Sequence, residues 1–314
     1  MKLTRIALVT ARAARDQDED LSPLDAALRA CGADVCIADW DDTAVDWSAF
    51  DLAVLRSPWD YTQRLPEFLA WAERTAAQTR LLNPLPVIRW NTDKHYLAEL
   101  ARAGVATVPS VFVEPGEDAG AALDRFFCGD AVLSRPAATL SHEGRGEEFV
   151  VKPAVGAGSR DAQRYARTER VGALAHAQRL LDTGRSVLLQ PYLDHVDEYG
   201  ETALIFFDGV FSHAIRKGPL LRRGEAPTRA LFATEHILPR TPGPDELRVA
   251  EHTLAAIPFA QPLLYARVDL LRADQGGDAS GAPCVLELEL TEPSLFFAHA
   301  PGSAERFAKA ILAR

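Results

Sequence analysis

Two segments near the C-terminal end constrain this chain most: residues 264–271, Leu-Tyr-Ala-Arg-Val-Asp-Leu-Leu, and residues 284–290, Cys-Val-Leu-Glu-Leu-Glu-Leu. Each alternates apolar and charged positions with the period of a β-strand, so Tyr265, Arg267 and Asp269 share one face of the first, and Glu287 and Glu289 one face of the second. The stretch between them, rich in Gly, Asp and Ser, is turn chemistry. A hairpin with its midpoint near Gly277 sets Asp269 opposite the residues around Glu287. Three carboxylates and one guanidinium then share a face. Carboxylates paired across strands repel, and a hard divalent cation bound by oxygen relieves them, Mg²⁺ being the usual choice beside phosphate. The same residues also suit a solvated hairpin face, and on these segments alone both readings stand.

The rest of the chain narrows the choice. With 314 residues, 47% of them hydrophobic, it can bury one large core or two to three smaller ones. Its formal net charge of −10 argues against a broad nucleic-acid or anionic-membrane surface, which would need clustered Lys and Arg. No apolar run has the length of a membrane span, and the opening Ile6–Val9 run, followed at once by Arg12 and Arg15, reads as a buried strand and not as a secretion signal. Cys31, Cys36, Cys128 and Cys284 lack paired spacing and are expected to be reduced thiols in the core of a cytoplasmic protein.

Residues 1–90 read as a small α/β layer of the kind that binds ligands at the carboxyl ends of its strands. Ser22-Pro23 opens its first helix, Gly32 closes it, 34–38 and 51–55 are buried strands, and Pro66 opens a second helix. The strand ending at Leu55 delivers Arg56, Asp60 and Tyr61, with Arg56 a candidate clamp for a substrate carboxylate. Trp59 is expected mainly in interdomain packing. A helix from Asn91 to Arg102 would carry Lys94 in its first turn, against the helix dipole, an arrangement that makes sense beside a bound anion.

Further on, Phe149–Pro153 is a strand with one lysine, Lys152, followed by Gly156, Gly158 and Ser159 in a turn where backbone N–H groups can approach a polyphosphate. The order is neither that of a Walker loop nor that of a protein kinase, because the lysine precedes the glycines. The strand 186–193 carries Gln190 beside Pro191 and Tyr192, offering one amide and backbone groups to a purine edge. Glu201 opens the next strand, Asp208-Gly209 turns it, and the return strand ends in Arg216 and Lys217, within reach of phosphate or a second carboxylate, with His213 mainly structural. The segment 129–146 reads as a loop or long hairpin connection, helices are expected at about 119–127, 170–182 and 244–256, and a final amphipathic helix at 302–313.

A lysine at a helix start, a Val-Lys-Pro strand with a Gly-rich loop, a strand ending in Gln-Pro-Tyr, a Gly-Glu strand, then Arg-x-Asp and Glu-x-Glu form an ordered set spanning about 200 residues. That order resembles the ATP-grasp superfamily, in particular its glutathione synthetase-like branch of carboxylate–amine ligases. Ser-Pro-Trp-Asp-Tyr at 57–61, Trp-Asn-Thr-Asp-Lys at 90–94, Phe-Ser-His-Ala-Ile-Arg-Lys-Gly-Pro at 211–219 and Glu-Leu-Glu-Leu-Thr-Glu-Pro-Ser-Leu-Phe at 287–296 resemble, within that branch, the cyclo-ligases that close O-ureido-D-serine to D-cycloserine.

The resemblance implies an α/β fold with α+β elements in a lid: a Rossmann-like layer before the ATP-grasp fold (1–90), a lid lobe (91–189) and a C-terminal lobe with the metal site (190–314). It implies an ADP-forming ligase using ATP and Mg²⁺, with Mn²⁺ as a substitute, acting on a small amino-acid-like substrate; a homo-oligomer is compatible with it. Lys94 and Lys152 would meet the phosphates under a lid from Gly156 through Gly158 and Ser159 to Arg160. Gln190 and the backbone of Tyr192 would read adenine and Glu201 the ribose. Asp269, Glu287 and Glu289 would hold the metal, and Arg267 with Arg216 would neutralise the transferring phosphoryl group. Arg56, Asp60, Tyr61, Lys217, Glu292 and Ser294 would face the substrate. Glu289 stands where the superfamily usually has Asn. The chemistry implied is carboxylate activation as an acyl phosphate and capture by a nitrogen of the same molecule, with a separate amine acceptor or a non-catalytic nucleotide-binding module as the alternatives.

Overall fold

The computed structural model describes residues 3–128, 147–225, 236–273 and 281–314; the expected connection at 129–146 and the tip of the C-terminal hairpin lie outside them. Three sheets carry the chain. The first is parallel, in the order β2-β1-β3-β4, built from β1 (Arg5–Thr10), β2 (Asp34–Asp39), β3 (Leu52–Ser57) and β4 (Arg80–Leu82). Its strands are near-continuous apolar runs because helices cover it: α1 (Leu21–Ala30), α2 (Leu65–Ala76) and α3 (Leu85–Asn91) belong to this layer. Gly32, at φ +86°, ends α1 in the left-handed conformation that glycine adopts without strain.

After α4 (Tyr96–Arg102) the second sheet is antiparallel, in the order β5-β8-β6-β7, formed by β5 (Val111–Val113), β6 (Glu148–Pro153), β7 (Gln163–Ala166) and β8 (Val187–Pro191), with α5 (Ala119–Cys128) and α6 (Arg170–Leu181) packed on it through Phe149, Ala173, Ala177 and Leu180. The third sheet, β11-β10-β9-β12-β13, follows the short α7 (His195–Tyr199) and comprises β9 (Glu201–Phe207), β10 (Val210–Lys217), β11 (Ile237–Arg240), β12 (Tyr265–Ala273) and β13 (Ala282–Glu289), with α8 (Pro244–Ala255) and α9 (Ser303–Leu312) alongside. The fold is therefore α/β.

The first and third sheets share a core. Ile6, Leu8, Leu24 and Val54 cluster with Ile205, Phe207, Tyr265 and the α9 residues Phe307 and Ile311, and the Phe207 and Phe307 rings stack at 4.7 Å. Burying each such side chain contributes about 1.5–3 kcal/mol, so α9, apolar at Ala304, Phe307, Ala308 and Ile311, is held by its packing. Polar side chains join the same two layers. Asn83 donates to the carbonyls of Tyr265 and Leu290 and accepts from Leu264 N–H, while Asn91 donates to Leu288 O and accepts from Leu290 N–H. These amides satisfy backbone groups at the end of β13 and fix the hairpin in place.

The structure corrects three expectations. The helix from Asn91 to Arg102 is two helices: α3 ends at Asn91, α4 begins at Tyr96, and Lys94 lies between them, its N–H bonded to Ala154 O. Of the four cysteines only Cys284 is buried; Cys31, Cys36 and Cys128 are exposed. The alternation of the C-terminal hairpin is broken by a bulge between Asp269 and Leu270, which pairs Leu270 with Val285 while keeping Asp269 opposite Glu287. No helix among the described residues is long and apolar enough to cross a membrane.

Candidate active site

A cleft of about 400 Å³ opens between the three sheets. Its floor is the β12–β13 hairpin, where the register Arg267↔Glu289 and Asp269↔Glu287 turns four charges the same way. The Arg267 guanidinium grips Asp269 with two bonds of 2.8 Å, Nε to Oδ1 and Nη2 to Oδ2, and also contacts Glu289. Its remaining arm donates to Ser294 O at 3.1 Å. Lys217, at the end of β10, reaches Asp269 Oδ2 at 2.7 Å and contacts Glu201. From the second sheet Lys152 reaches Glu287 Oε1 at 2.7 Å, and Lys94 stands 3.8 Å from Glu287 Oε2 while donating to Gly156 O at 2.7 Å.

Burial pushes the Glu287 carboxyl up, but Lys152 and Lys94 outweigh it and hold it at about 2. Burial likewise raises Asp269, and Arg267 and Lys217 more than reverse it, leaving the carboxyl well below the usual carboxylate range. At Glu292 the balance is reversed: burial, with Glu289 adding repulsion, pushes its carboxyl to about 8 against a hydrogen bond from Tyr61 and the weaker pull of Lys94 and Arg267. Burial also raises Glu201, with Lys217 opposing. One cleft thus holds firmly ionised acids beside a protonated one, a separation of roles that active sites exploit.

Above the floor, the turn after β6 carries Gly158 and Ser159 at φ +59° and +57°, consecutive left-handed residues of which the serine is the uncommon one. Gly156, Gly158 and Ser159 all line the cleft. Gln190 and Tyr192, from the end of β8, line it too. The Gln190 amide donates to Ser110 Oγ at 2.9 Å, and the Tyr192 ring lies 3.4 Å under the Arg164 guanidinium with its hydroxyl on Asp197. Apolar Val150, Leu193, Leu220, Leu271 and Leu286 complete this end.

Of the residues singled out from the sequence, Lys94, Lys152, Glu201, Lys217, Arg267, Asp269, Glu287, Glu289, Glu292 and Ser294 also border the cleft. Four do not. Arg216 projects to the other face of β10 and donates to the carbonyls of Tyr199 and Glu198, and of the two neighbours it is Lys217 that borders the cleft. Arg56 is fully buried and donates to Pro293 O at 3.1 Å, behind the cleft wall. Asp60 accepts from the Trp40 indole at 2.8 Å. Tyr61 is buried against Phe68 and acts on Glu292 from outside the cleft. Trp59, expected mainly in interdomain packing, bridges the first layer to the third by donating to Glu292 O at 3.0 Å and also lines the cleft. Sequence reading missed Gln17, Glu19 and Asp20, which enter from the loop after β1; the acidic run at the carboxyl end of a first parallel strand was the available signal.

The donors Asp269, Glu287 and Glu289 are all hard carboxylate oxygens and suit a divalent cation chemically. Each is nevertheless bonded to a cationic side chain, and among the described residues no three His, Cys, Asp or Glu gather as a metal site.

Comparison with known proteins agrees with this architecture. Residues 6–83 match the family model described as D-cycloserine synthetase DcsG, N-terminal domain. The chain is 43% identical over 313 residues to the cycloserine biosynthesis protein DcsG of Streptomyces lavendulae, covering 98% of each. It superposes on the crystal structure of D-cycloserine synthetase DcsG with a TM-score of 0.86 at 42% identity, covering 99% of both chains. More distant matches share the fold: D-alanine–D-alanine ligase from Bacillus anthracis at TM-score 0.65 and 14% identity, covering 99% of this chain and 96% of that one, and the ATP-grasp ligase PsnB at 0.61 and 17%, covering 99% of each. With near-complete coverage at 43% identity, the chain belongs to the D-cycloserine synthetase DcsG family, and its fold is that of the ATP-grasp ligases.

Proposed function

We propose that the cleft binds ATP with Mg²⁺, transfers the γ-phosphoryl group to the carboxylate of O-ureido-D-serine, and lets the oxygen-bound ureido nitrogen of the same molecule displace phosphate and close the ring, the carbamoyl group on that nitrogen leaving by hydrolysis as carbon dioxide and ammonia to give D-cycloserine. The observation that carries the reading is the facing arrangement of Arg267–Asp269 and Glu287–Glu289, reached by Lys152 from the second sheet and Lys217 from the third. Similarity to a cycloserine biosynthesis protein along nearly the whole chain, at 43% identity, supports the choice of substrate.

The residues divide the work. Lys94, Lys152 and the backbone of Gly156 to Ser159 hold the polyphosphate, and Gln190 with the Tyr192 backbone hold the base in the apolar end. Glu201 serves the ribose. Asp269, Glu287 and Glu289 would hold Mg²⁺, with Mn²⁺ as a substitute, which when bound neutralises phosphate oxygens. Arg267 sits where charge spreads over the moving phosphoryl group, and Lys217 adds a second cation from β10. Glu292 and Ser294 border the part of the cleft left for the substrate. Ring closure needs no second amine pocket, since both reactants are held as one molecule.

The test is nucleotide turnover against a panel of small D- and L-amino acids that includes O-ureidoserine, with product masses read. ADP and phosphate released with O-ureido-D-serine alone, together with the mass of cycloserine, supports the reading. AMP and pyrophosphate, or a strict requirement for an added amine, contradicts it.

A further inference from the structure

The wall of the cleft formed by Glu292 to Phe297 has no regular secondary structure around Phe296, which adopts φ +54° and ψ +44°. Its backbone groups are satisfied largely by side chains from the first sheet. The Asp20 carboxylate accepts three consecutive N–H groups, those of Leu295 at 2.5 Å and Phe296 at 3.0 Å on Oδ2 and that of Phe297 at 2.8 Å on Oδ1. Arg56, 3.8 Å from Asp20, holds Pro293 O, and Trp59 holds Glu292 O. On its other side the same wall holds Arg267: Ser294 O accepts from its Nη1, and the Phe296 ring lies 5.5 Å from its guanidinium carbon.

We propose that Asp20 is a positioning residue for phosphoryl transfer, fixing the Ser294–Phe297 wall and through it the guanidinium of Arg267. Both Asp20 oxygens are committed to backbone donors, so Asp20 acts through the wall. Three charge-assisted bonds on one buried carboxylate define the segment more tightly than packing alone. Leu295 and Phe297 are themselves buried, and their N–H groups would have no solvent to turn to. A neutral Asn in this place presents an NH₂ to at least one of the three donors, and the wall loosens where Arg267 rests on it. Displacements near 1 Å can cost about 100-fold in rate.

This inference rests on the ligase reading above for its catalytic part. The experiment is Asp20→Asn in the full chain, with two readouts. Substrate-dependent phosphate release should lose roughly 10- to 100-fold in kcat with KM for ATP unchanged within about twofold, because Lys94, Lys152 and Gln190 are untouched. Independently of turnover, the Arg267 Nε–H resonance, identified by its disappearance in Arg267→Lys, should shift. An unchanged kcat, or an unmoved resonance, overturns the proposal. Should Asp20→Asn fail to fold, Trp59→Phe removes one bond to the same wall and carries the same two expectations at smaller size, with the same overturning results. A wild-type protein with no substrate-dependent phosphate release would sink the ligase reading, while the resonance still decides whether Asp20 positions Arg267.

Discussion

Lys217 Nζ lies 2.7 Å from Asp269 Oδ2, on the carboxylate that Arg267 grips from the other side. The acid at the centre of the cleft is therefore held by two cations, Arg267 from its own strand β12 and Lys217 from β10 beyond β9, and its removal should be felt in chemistry before it is felt in fold. Asp269→Asn keeps the shape but withdraws the charge. Turnover should fall at least about 1,000-fold, as expected when electrostatic stabilisation of a transferring phosphoryl group is lost. Circular dichroism should remain that of the wild type. Turnover within tenfold of wild type would remove Asp269 from the metal set.

Lys217 and Arg216 are adjacent in sequence and opposite in direction. Lys217→Met should cost at least about 100-fold in kcat, because a cation facing the phosphoryl group is lost. Arg216→Met, which removes only bonds to Tyr199 O and Glu198 O, should cost less than about fivefold. Steady-state kinetics on the two variants side by side checks the assignment, and the reverse order would restore Arg216 to the site.

Glu292 should leave a pH signature in stability. Its carboxyl titrates at about 8 in the folded protein, above its ordinary value near 4.5. Such a group contributes stability that is complete below pH about 4.5 and is lost as pH rises through about 8, because the unfolded chain releases its proton first. Glu292→Gln should therefore raise Tm by a few degrees at pH 8.5, and the difference should vanish near pH 4.5. Thermal melts across that range decide it; a difference that grows towards acid would place the shift the other way.

Gly200 adopts φ +72° and ψ −168°, and an added Cβ would stand 2.3 Å from Lys217 O. That backbone region is essentially restricted to glycine. Gly200→Ala should destabilise by at least about 2 kcal/mol, combining backbone strain with displacement of the β10 end. It should also lower activity by disturbing Glu201 and Lys217 together. Denaturant unfolding gives the first number and phosphate release the second.

How far these features could be read in advance differs residue by residue. The pairing of Asp269 with Glu287 follows from turn chemistry and strand period, both local, and the structure keeps it despite the bulge. The Lys152 strand and α9 are equally local. Arg56, by contrast, follows an apolar strand and resembles an exposed clamp until residues 293–297 cover it from 237 positions away. Tyr61 is buried and Asp60 half-buried by packing within the first layer, with Phe68 and Trp40 as their partners. Arg216 and Lys217 differ only in which face of β10 each takes, and a register shift between Phe211 and His213 makes that hard to count from the turn. Asn83, Asn91 and Asp20 act on backbone groups some 180 to 280 residues distant; no local pattern marks the two asparagines, and the acidic run around Asp20 marks its place after the first strand but not its distant partners.

The most direct test of carboxylate activation in this cleft uses O-ureido-D-serine labelled with ¹⁸O in its carboxylate. Transfer of the γ-phosphoryl group to that carboxylate carries one labelled oxygen into the phosphate released on ring closure. Mass spectrometry of the phosphate should find one ¹⁸O per phosphate, in proportion to the cycloserine formed. Phosphate released without label would mean that water and not the substrate carboxylate takes the phosphoryl group, and would contradict the proposed roles of Arg267, Lys217 and Asp269.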